Sequence, residues 1–285
     1  MESFRRWSVY QKALLANPAD FCNSATASTN LTIRRNNKHM AQRFTLKIGD
    51  NLQSAEKKKE YNEKVFSEVA PRYNFITRAL SFWQDALWKR DLINSLPTYE
   101  TPLCVDIACG TGDISFLLAE KYPLGRIVGL DIARPMLDIA RRRNTRRNIS
   151  FINQDMGRLE FAPESVDTVT GGYALRNAPD LEVVIGEIHR ILKPGGTATF
   201  LDFSKPHSGF AQRLEYWLLK IWGGLWGILL HRNHEVYSYI AESLRLFPER
   251  ERLREIFRDK GFTVGSSRLY FFGITELLVV RKAAQ

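Results

Sequence analysis

The chain has 285 residues, 44% of them hydrophobic and 12% aromatic, enough for one large domain or two small ones with a sizeable core. A net charge of +10 points to an anionic partner (nucleic acid, an acidic membrane surface or a phosphorylated ligand) or to a basic surface without one. No run reaches the roughly 18 apolar residues of a membrane span, and the three cysteines, Cys22, Cys104 and Cys109, fit neither a zinc site nor a disulfide framework, as expected of a reducing compartment.

Residues 1 to about 40 carry Arg5, Arg6, Lys12, Arg34, Arg35 and Lys38 against only Glu2 and Asp20, with a Ser/Thr-rich stretch from Asn23 to Asn30. Three readings stand: an organellar transit peptide, an extension without an address, or a leader upstream of a true start at Met40. Disorder is expected in each. Residues 1–45 are therefore set apart from a domain spanning 46–285.

From Ser54 to Val69 the pattern is helical, with Tyr61, Val65, Phe66 and Val69 as the apolar stripe and Pro71 as its end. A second helical stretch runs from about Tyr73 to Leu96 and carries Phe82, Trp83, Leu87, Trp88 and Leu92 as core or lid groups. Strand-like runs then alternate with helical ones. The strands are Leu103–Ile107, Arg126–Leu130, Ile149–Asn153, Val166–Gly171 and Thr197–Phe203; the helices lie near Asp113–Lys121, Pro135–Arg143 and Leu181–Leu192, the last stopped by Lys193-Pro194-Gly195-Gly196. This alternation predicts an α/β fold with a parallel, doubly wound sheet. Residues 204–247 interrupt it as a cap insertion. Within it Phe210–Leu230 is helical, carries Leu214, Trp217, Leu218, Ile221, Leu225 and Leu229 on one stripe, and has an expected break at Gly223-Gly224. That stripe reads either as a cap or lipid-touching surface or as packing against the main domain. A helix near Glu249–Lys260 and two closing strands, Thr263–Leu269 and Gly273–Arg281, complete the chain.

The chemistry centres on Asp106-Ile107-Ala108-Cys109-Gly110-Thr111-Gly112-Asp113. A strand, a glycine turn and a helix N-terminus form a nucleotide-type site, because glycine accepts φ > 0 and lets a ligand approach the backbone. Asp131, at the end of the second strand, can accept hydrogen bonds from ribose hydroxyls. The turn lacks the third glycine of the dinucleotide fingerprint, and Asp155 follows the third strand where an adenine amino group would lie. These features favour S-adenosyl-L-methionine as cofactor over a dinucleotide. His231-Arg232-Asn233-His234-Glu235 holds two histidines without further ligands and reads as a solvated loop, so no metal site is expected. Arg134, Arg141, Arg142, Arg143, Arg146 and Arg147 form either a solvated helix face or a patch for anionic headgroups.

Several stretches together resemble the ubiquinone/menaquinone biosynthesis C-methyltransferase family: Leu87-Trp88-Lys89-Arg90, the glycine turn, Leu175-Arg176-Asn177, Leu192-Lys193-Pro194-Gly195-Gly196, Leu201-Asp202-Phe203-Ser204-Lys205-Pro206 and Tyr239-Ile240-Ala241-Glu242-Ser243. The resemblance implies a Rossmann-like class I methyltransferase fold, a seven-stranded mostly parallel sheet with its last strand antiparallel under a helical N-terminal lid. It implies cofactor contacts at Thr111, Asp131, Asp155, Met156 and Gly172, beside Asp106, Gly110 and Gly112 of the turn. The activity it implies is C-methylation of a prenylated benzoquinol or naphthoquinol. For that chemistry Arg176 is the candidate clamp for a developing oxyanion and Asn177 the candidate holder of a hydroxyl or a water; arginine stays protonated and is a poor base.

The chain departs from the family pattern at Asn74, Thr77, Asp85 and Tyr173. A divergent phenol or prenyl-lipid methyltransferase is the alternative these departures raise. A nucleic-acid methyltransferase is disfavoured because Gly171-Gly172-Tyr173-Ala174 stands where an Asn/Asp-Pro-Pro-aromatic motif would be, so no nucleic-acid partner is expected. A non-catalytic subunit of a quinone-synthesis complex is the remaining reading. The expected partners are a lipophilic quinol, a membrane surface, and a homodimer or biosynthetic complex. The expected location is cytoplasmic or peripheral at the inner face of a membrane, and mitochondrial or plastid if residues 1–40 are a transit peptide.

Overall fold

Ser54 starts the first helix by accepting a hydrogen bond from the Lys57 N–H at 3.3 Å on its side-chain oxygen. The computed structural model describes residues 54–284 apart from 207 and 232–234. The basic extension of residues 1–40, Cys22 and the core of the His231–Glu235 motif lie outside the described residues. Helix α1 is Ala55–Val69, and its apolar residues Tyr61, Val65 and Val69, returning every fourth position, are buried.

The long second helix expected over 73–96 is two helices, α2 (Tyr73–Leu80) and α3 (Asp85–Asn94). The break falls at Phe82 and Trp83, whose φ values of 50° and 63° lie in the left-handed region and cannot continue a right-handed helix. Neither glycine nor proline marks this turn, so periodicity alone carried through it.

The α/β core follows in the expected order: β1 (Leu103–Ile107), α4 (Asp113–Lys121), β2 (Arg126–Asp131), α5 (Arg134–Arg143), β3 (Ile149–Asn153), β4 (Val166–Gly172), α6 (Leu181–Ile191) and β5 (Leu192–Phe203). Strand β5 begins earlier than its hydrophobic run suggests. Val166 pairs with Leu192, and Lys193–Gly196 then bulge out before Thr168 pairs with Thr197. The remaining elements are α7 (Gly209–His231), α8 (Glu235–Leu246), α9 (Arg250–Asp259), β6 (Phe262–Tyr270) and β7 (Thr275–Lys282).

The sheet has seven strands in the order β3-β2-β1-β4-β5-β7-β6. Strands β1 to β5 pair in parallel, and β7 runs antiparallel to both β5 and β6. Apolar side chains cover both faces, as a parallel sheet requires. On one face Trp88, Leu92, Leu118 and Leu137 of α3, α4 and α5 pack on Ile127 and Phe151. On the other, Ile185, Ile188 and Phe257 of α6 and α9 pack on Val169 and Phe200. The order reverses between β1 and β4, so their carboxyl ends open a crevice where such sheets bind ligands.

Helix α7 is continuous through Gly223 and Gly224, contrary to the expected break. A Cβ on Gly223 would lie 2.8 Å from the Tyr237 carbonyl oxygen, so this glycine lets α7 and α8 approach closely. Its opposite side leaves Leu214, Trp217, Leu218, Ile221, Leu225 and Leu229 exposed. The stripe is therefore not buried against the main domain, although Leu218 also reaches the wall of a large apolar cavity.

Candidate active site

The glycine turn is built on left-handed backbone, with φ of 48° at Ala108, 54° at Gly110 and 90° at Gly112. Gly112 precedes the first residue of α4, and a Cβ there would sit 3.0 Å from the Phe151 ring. The turn is pinned from β2: Asp131 accepts from the Gly110 N–H through Oδ2 and from the Ala133 N–H through Oδ1, both at 2.8 Å. The predicted turn and the predicted ribose-binding acid are thus one hydrogen-bonded unit. Burial pushes the Asp131 carboxyl up to about 6, against the pull of those N–H groups. Each carboxylate oxygen has a second lone pair to offer.

Around this unit lies a cavity of about 50 Å³, walled by Gly110, Asp131, Ile132, Met136, Asp155, Met156 and Gly172 and continuing to Tyr173 and Asn177. Asp155 accepts from the Gly157 N–H at 2.8 Å and pairs with Lys59 of α1 at 2.6 Å, so the N-terminal helix closes over this end. Asp106 and Thr111 face an adjoining smaller lobe with Tyr73, Lys89 and Asp113, whereas Gly112 lines neither space and serves the turn itself. Asp106 is fully buried and accepts from the Ser115 and Thr170 hydroxyls at 2.6 and 3.0 Å; burial still lifts its carboxyl to about 7.

These residues fit S-adenosylmethionine. Ile132, Met136 and Met156 offer apolar walls to a flat base, Asp131 offers acceptors to two hydroxyls, and Asp106 places a carboxylate beside the lobe where a cationic amino acid would lie. Among the described residues no cluster of metal-ligating side chains occurs.

An ionic chain, buried at Lys89 and Asp85 and open to solvent at Arg143, supports the lobe. Lys89 of α3 bridges Asp85 at 2.6 Å and Asp113 at 3.1 Å, and Arg143 meets the other Asp113 oxygen at 2.7 Å. Burial works against the Lys89 ammonium, but Asp85 and Asp113 outweigh it and hold its pKa above the ordinary value. The Tyr173 hydroxyl donates to the second Asp85 oxygen at 2.8 Å, and the Thr111 hydroxyl donates to Asn74 at 2.5 Å. Three of the four departures from the family pattern are therefore embedded in contacts with the cofactor walls. The fourth, Thr77, turns its hydroxyl back to the Tyr73 carbonyl at 2.8 Å.

A larger cavity of about 340 Å³ adjoins the first, lined by Val65, Val69, Ile76, Leu219, Trp222 and Phe203 among others, with Arg176 and Asn177 in its wall. Arg176 is 4% exposed. Its backbone N–H donates to Asp202 at 3.1 Å, its Nε faces the other Asp202 oxygen at 3.8 Å, and its guanidinium donates to the Ser243 hydroxyl and lies over the Phe203 and Tyr239 rings at 5.2 and 5.6 Å. The Asp202–Phe203–Ser204 and Tyr239–Ser243 stretches, far apart in sequence, thus converge on one guanidinium. Asn177 donates to the Tyr173 carbonyl at 2.6 Å, and its backbone carbonyl accepts from the Asn62 side chain at 2.7 Å. Asn62 belongs to the stripe of Tyr61, Phe66 and Val69 on α1; an amide in an apolar stripe was the signal that could have singled it out. Lys58, one turn earlier, donates to the Ala178 carbonyl at 2.6 Å, and burial together with the nearby Arg176 charge lowers its amine to about 8.

The chain matches the ubiE/COQ5 methyltransferase family over residues 53–280. It is 33% identical to a demethylmenaquinone methyltransferase of Geobacillus kaustophilus over 224 residues, covering 77% of this chain and 96% of the relative. It is 35% identical to one of Thermus thermophilus over 218 residues, covering 75% and 98%. Among solved structures, a methyltransferase in complex with the Haloferax volcanii Trm112 activator superposes with a TM-score of 0.57 at 22% identity, covering 77% of this chain and 98% of that one. A SAM-dependent methyltransferase of Thermotoga maritima gives 0.56 at 19% identity, covering 77% and 99%. At those identities the two structures bear on the fold alone.

Proposed function

The chain belongs to the ubiE/COQ5 methyltransferase family, and on that footing we propose that it moves a methyl group from S-adenosylmethionine to a ring carbon of a prenylated quinol. That it is an S-adenosylmethionine-dependent methyltransferase follows from the family. One observation carries the substrate reading: the cofactor cavity and the apolar cavity share a wall of Phe66, Tyr73, Tyr173 and Asn177, with Arg176 beside it. A flat ring with acidic hydroxyls meets the shared wall, and an apolar tail fills the remainder.

When bound, S-adenosylmethionine supplies a methyl carbon already electrophilic on its sulfonium. What remains for the protein is alignment, exclusion of water and stabilisation of charge on the ring oxygen. Asp131 would orient the ribose, Asp155 the base, and Gly172 would let the cofactor lie close to the end of β4. The Arg176 guanidinium, held by Asp202 and Ser243, would face the quinol oxygen as it loses its proton. Asn177 would hold that hydroxyl in register.

The relatives' names favour a naphthoquinol over a benzoquinol ring. A membrane contact is supported by the rim of the larger cavity. Phe82, Leu218 and Phe271 line it and are also exposed, and Phe82 stacks on Trp222 and Phe271 at 5.5 and 5.4 Å. Beyond the rim the exposed α7 stripe continues the apolar surface, flanked by Arg213 and Lys220. Among the described residues no helix is long and apolar enough to cross a membrane, so the proposed contact is peripheral. The test is a panel of demethylated naphthoquinols, benzoquinols and simple phenols with labelled cofactor, read by mass spectrometry. Ring-carbon methylation of a prenylated quinol is expected; methylation at oxygen, or turnover of simple phenols only, would overturn the reading.

A further inference from the structure

Two amide oxygens and one hydrogen meet at the inner end of the larger cavity. The Tyr239 hydroxyl lies 2.6 Å from Asn62 Oδ1 and 3.1 Å from Asn177 Oδ1. Both amides have fixed orientations. Asn62 Nδ2 faces the Asn177 carbonyl at 2.7 Å and Asn177 Nδ2 faces the Tyr173 carbonyl at 2.6 Å; carbonyls only accept, so each Oδ1 must point at Tyr239. Burial lifts the Tyr239 phenol to about 12, so its hydrogen stays on at neutral pH. That hydrogen can serve only one acceptor, and the shorter contact is to Asn62.

We propose that Asn62 is a positioning residue for methyl transfer: it holds the Tyr239 hydrogen and thereby leaves Asn177 Oδ1 free to accept a hydrogen bond from a ring hydroxyl of the substrate. The inference rests on the quinol reading above. Asn177 reaches both cavities, Tyr239 only the larger one and Asn62 only the cofactor cavity, so Asn62 acts through its neighbours without facing the larger cavity. It is 5% exposed. An amide is no base, so Asn177 orients the hydroxyl and does not take its proton. The oriented oxygen then lies beside the Arg176 guanidinium, where its growing negative charge is stabilised. An apolar residue at position 62 would release the Tyr239 hydrogen to Asn177 Oδ1, so the substrate hydroxyl would have to share an oxygen that already accepts, using its second lone pair alone.

The test compares binding of a short-chain prenylated naphthoquinol with that of its two mono-O-methyl ethers, in the presence of S-adenosylhomocysteine and with thermal unfolding recorded for each variant. The unaltered chain should prefer the free quinol over one of the ethers by tenfold or more. Asn62→Leu should reduce that ratio below threefold. Adding Tyr239→Phe to Asn62→Leu removes the competing hydroxyl and should restore it, whereas a purely structural role predicts a double variant no better than Asn62→Leu. An unchanged ratio in Asn62→Leu, or no recovery in the double variant, overturns the inference. If Asn62→Leu does not fold, Tyr239→Phe alone decides: an unaltered ratio supports the inference, and a rise of tenfold shows that Tyr239 had been occupying Asn177. An unaltered chain that neither binds nor methylates any quinol sinks the substrate reading instead.

Discussion

Tyr173 donates its hydroxyl to Asp85 at 2.8 Å, joining the residue after β4 to the first residue of α3. Asp85 in turn pairs with the buried Lys89 at 2.6 Å. Both Asp85 oxygens are thus engaged, one by the Lys89 ammonium and one by the Tyr173 hydroxyl. Burial, reinforced by the Asp85 charge, pushes the Tyr173 phenol well above its ordinary value, so it remains a donor. Tyr173→Phe should cost about 1.5–3 kcal/mol, the value of a hydrogen bond to a charged group. Asp85→Ala removes one of two carboxylates from a buried ammonium and should cost about 3–5 kcal/mol. Chemical denaturation of the two variants checks the order, and equal losses would contradict it.

Arg176→Ala should lower kcat by about 100-fold or more, the scale for removing a preorganised charge-stabilising group. Cofactor affinity, measured by calorimetry, should change by less than threefold, because Arg176 lines the larger cavity and not the smaller one. Full turnover in the variant would remove Arg176 from the reaction.

Asp106 and Asp131 give the ligand-free protein a characteristic pH response. Burial raises their folded pKa values to about 7 and about 6, against an unfolded value near ~3.9. Between these limits the folded chain binds more protons than the unfolded one, so the stability they contribute is complete below pH ~4 and is lost as pH rises through 6 to 7. The denaturation midpoint of Asp106→Asn relative to the unaltered chain should therefore improve from pH 5 to pH 8. A difference that stays flat with pH would show that Asp106 is ionised throughout.

Trp217 and Ile221 are 57% and 67% exposed and do not line the larger cavity. Burying each in a bilayer is worth roughly 1.5–3 kcal/mol. The pair Trp217→Ser and Ile221→Ser should lower association with vesicles of phosphatidylcholine and phosphatidylglycerol by tenfold or more, with turnover of a short-chain soluble quinol within twofold of the unaltered chain. Equal vesicle binding would reject α7 as the contact surface.

Local pattern was enough for most of the architecture. Alternation of strand-like with helical runs indicated a parallel sheet, because parallel neighbours need crossover helices between them. The glycine turn, Asp131 and Asp155 were legible as candidates because each lies at the carboxyl end of a strand, where such sheets bind ligands. Chain-local signals ran out where left-handed backbone occurred without glycine, as at Phe82 and Trp83, and where Gly223 served close helix packing instead of a break. They could not see that Asn62 and Asn177, separated by 115 residues, both place an amide oxygen within reach of the hydroxyl of Tyr239, 62 residues further on. The cofactor and the reaction class are thus matters of short motifs, which sequence holds intact. How Arg176 and Asn177 are held, and what meets the substrate, depends on hydrogen-bond donors and acceptors from distant segments being counted against one another, and only the folded chain brings them within reach.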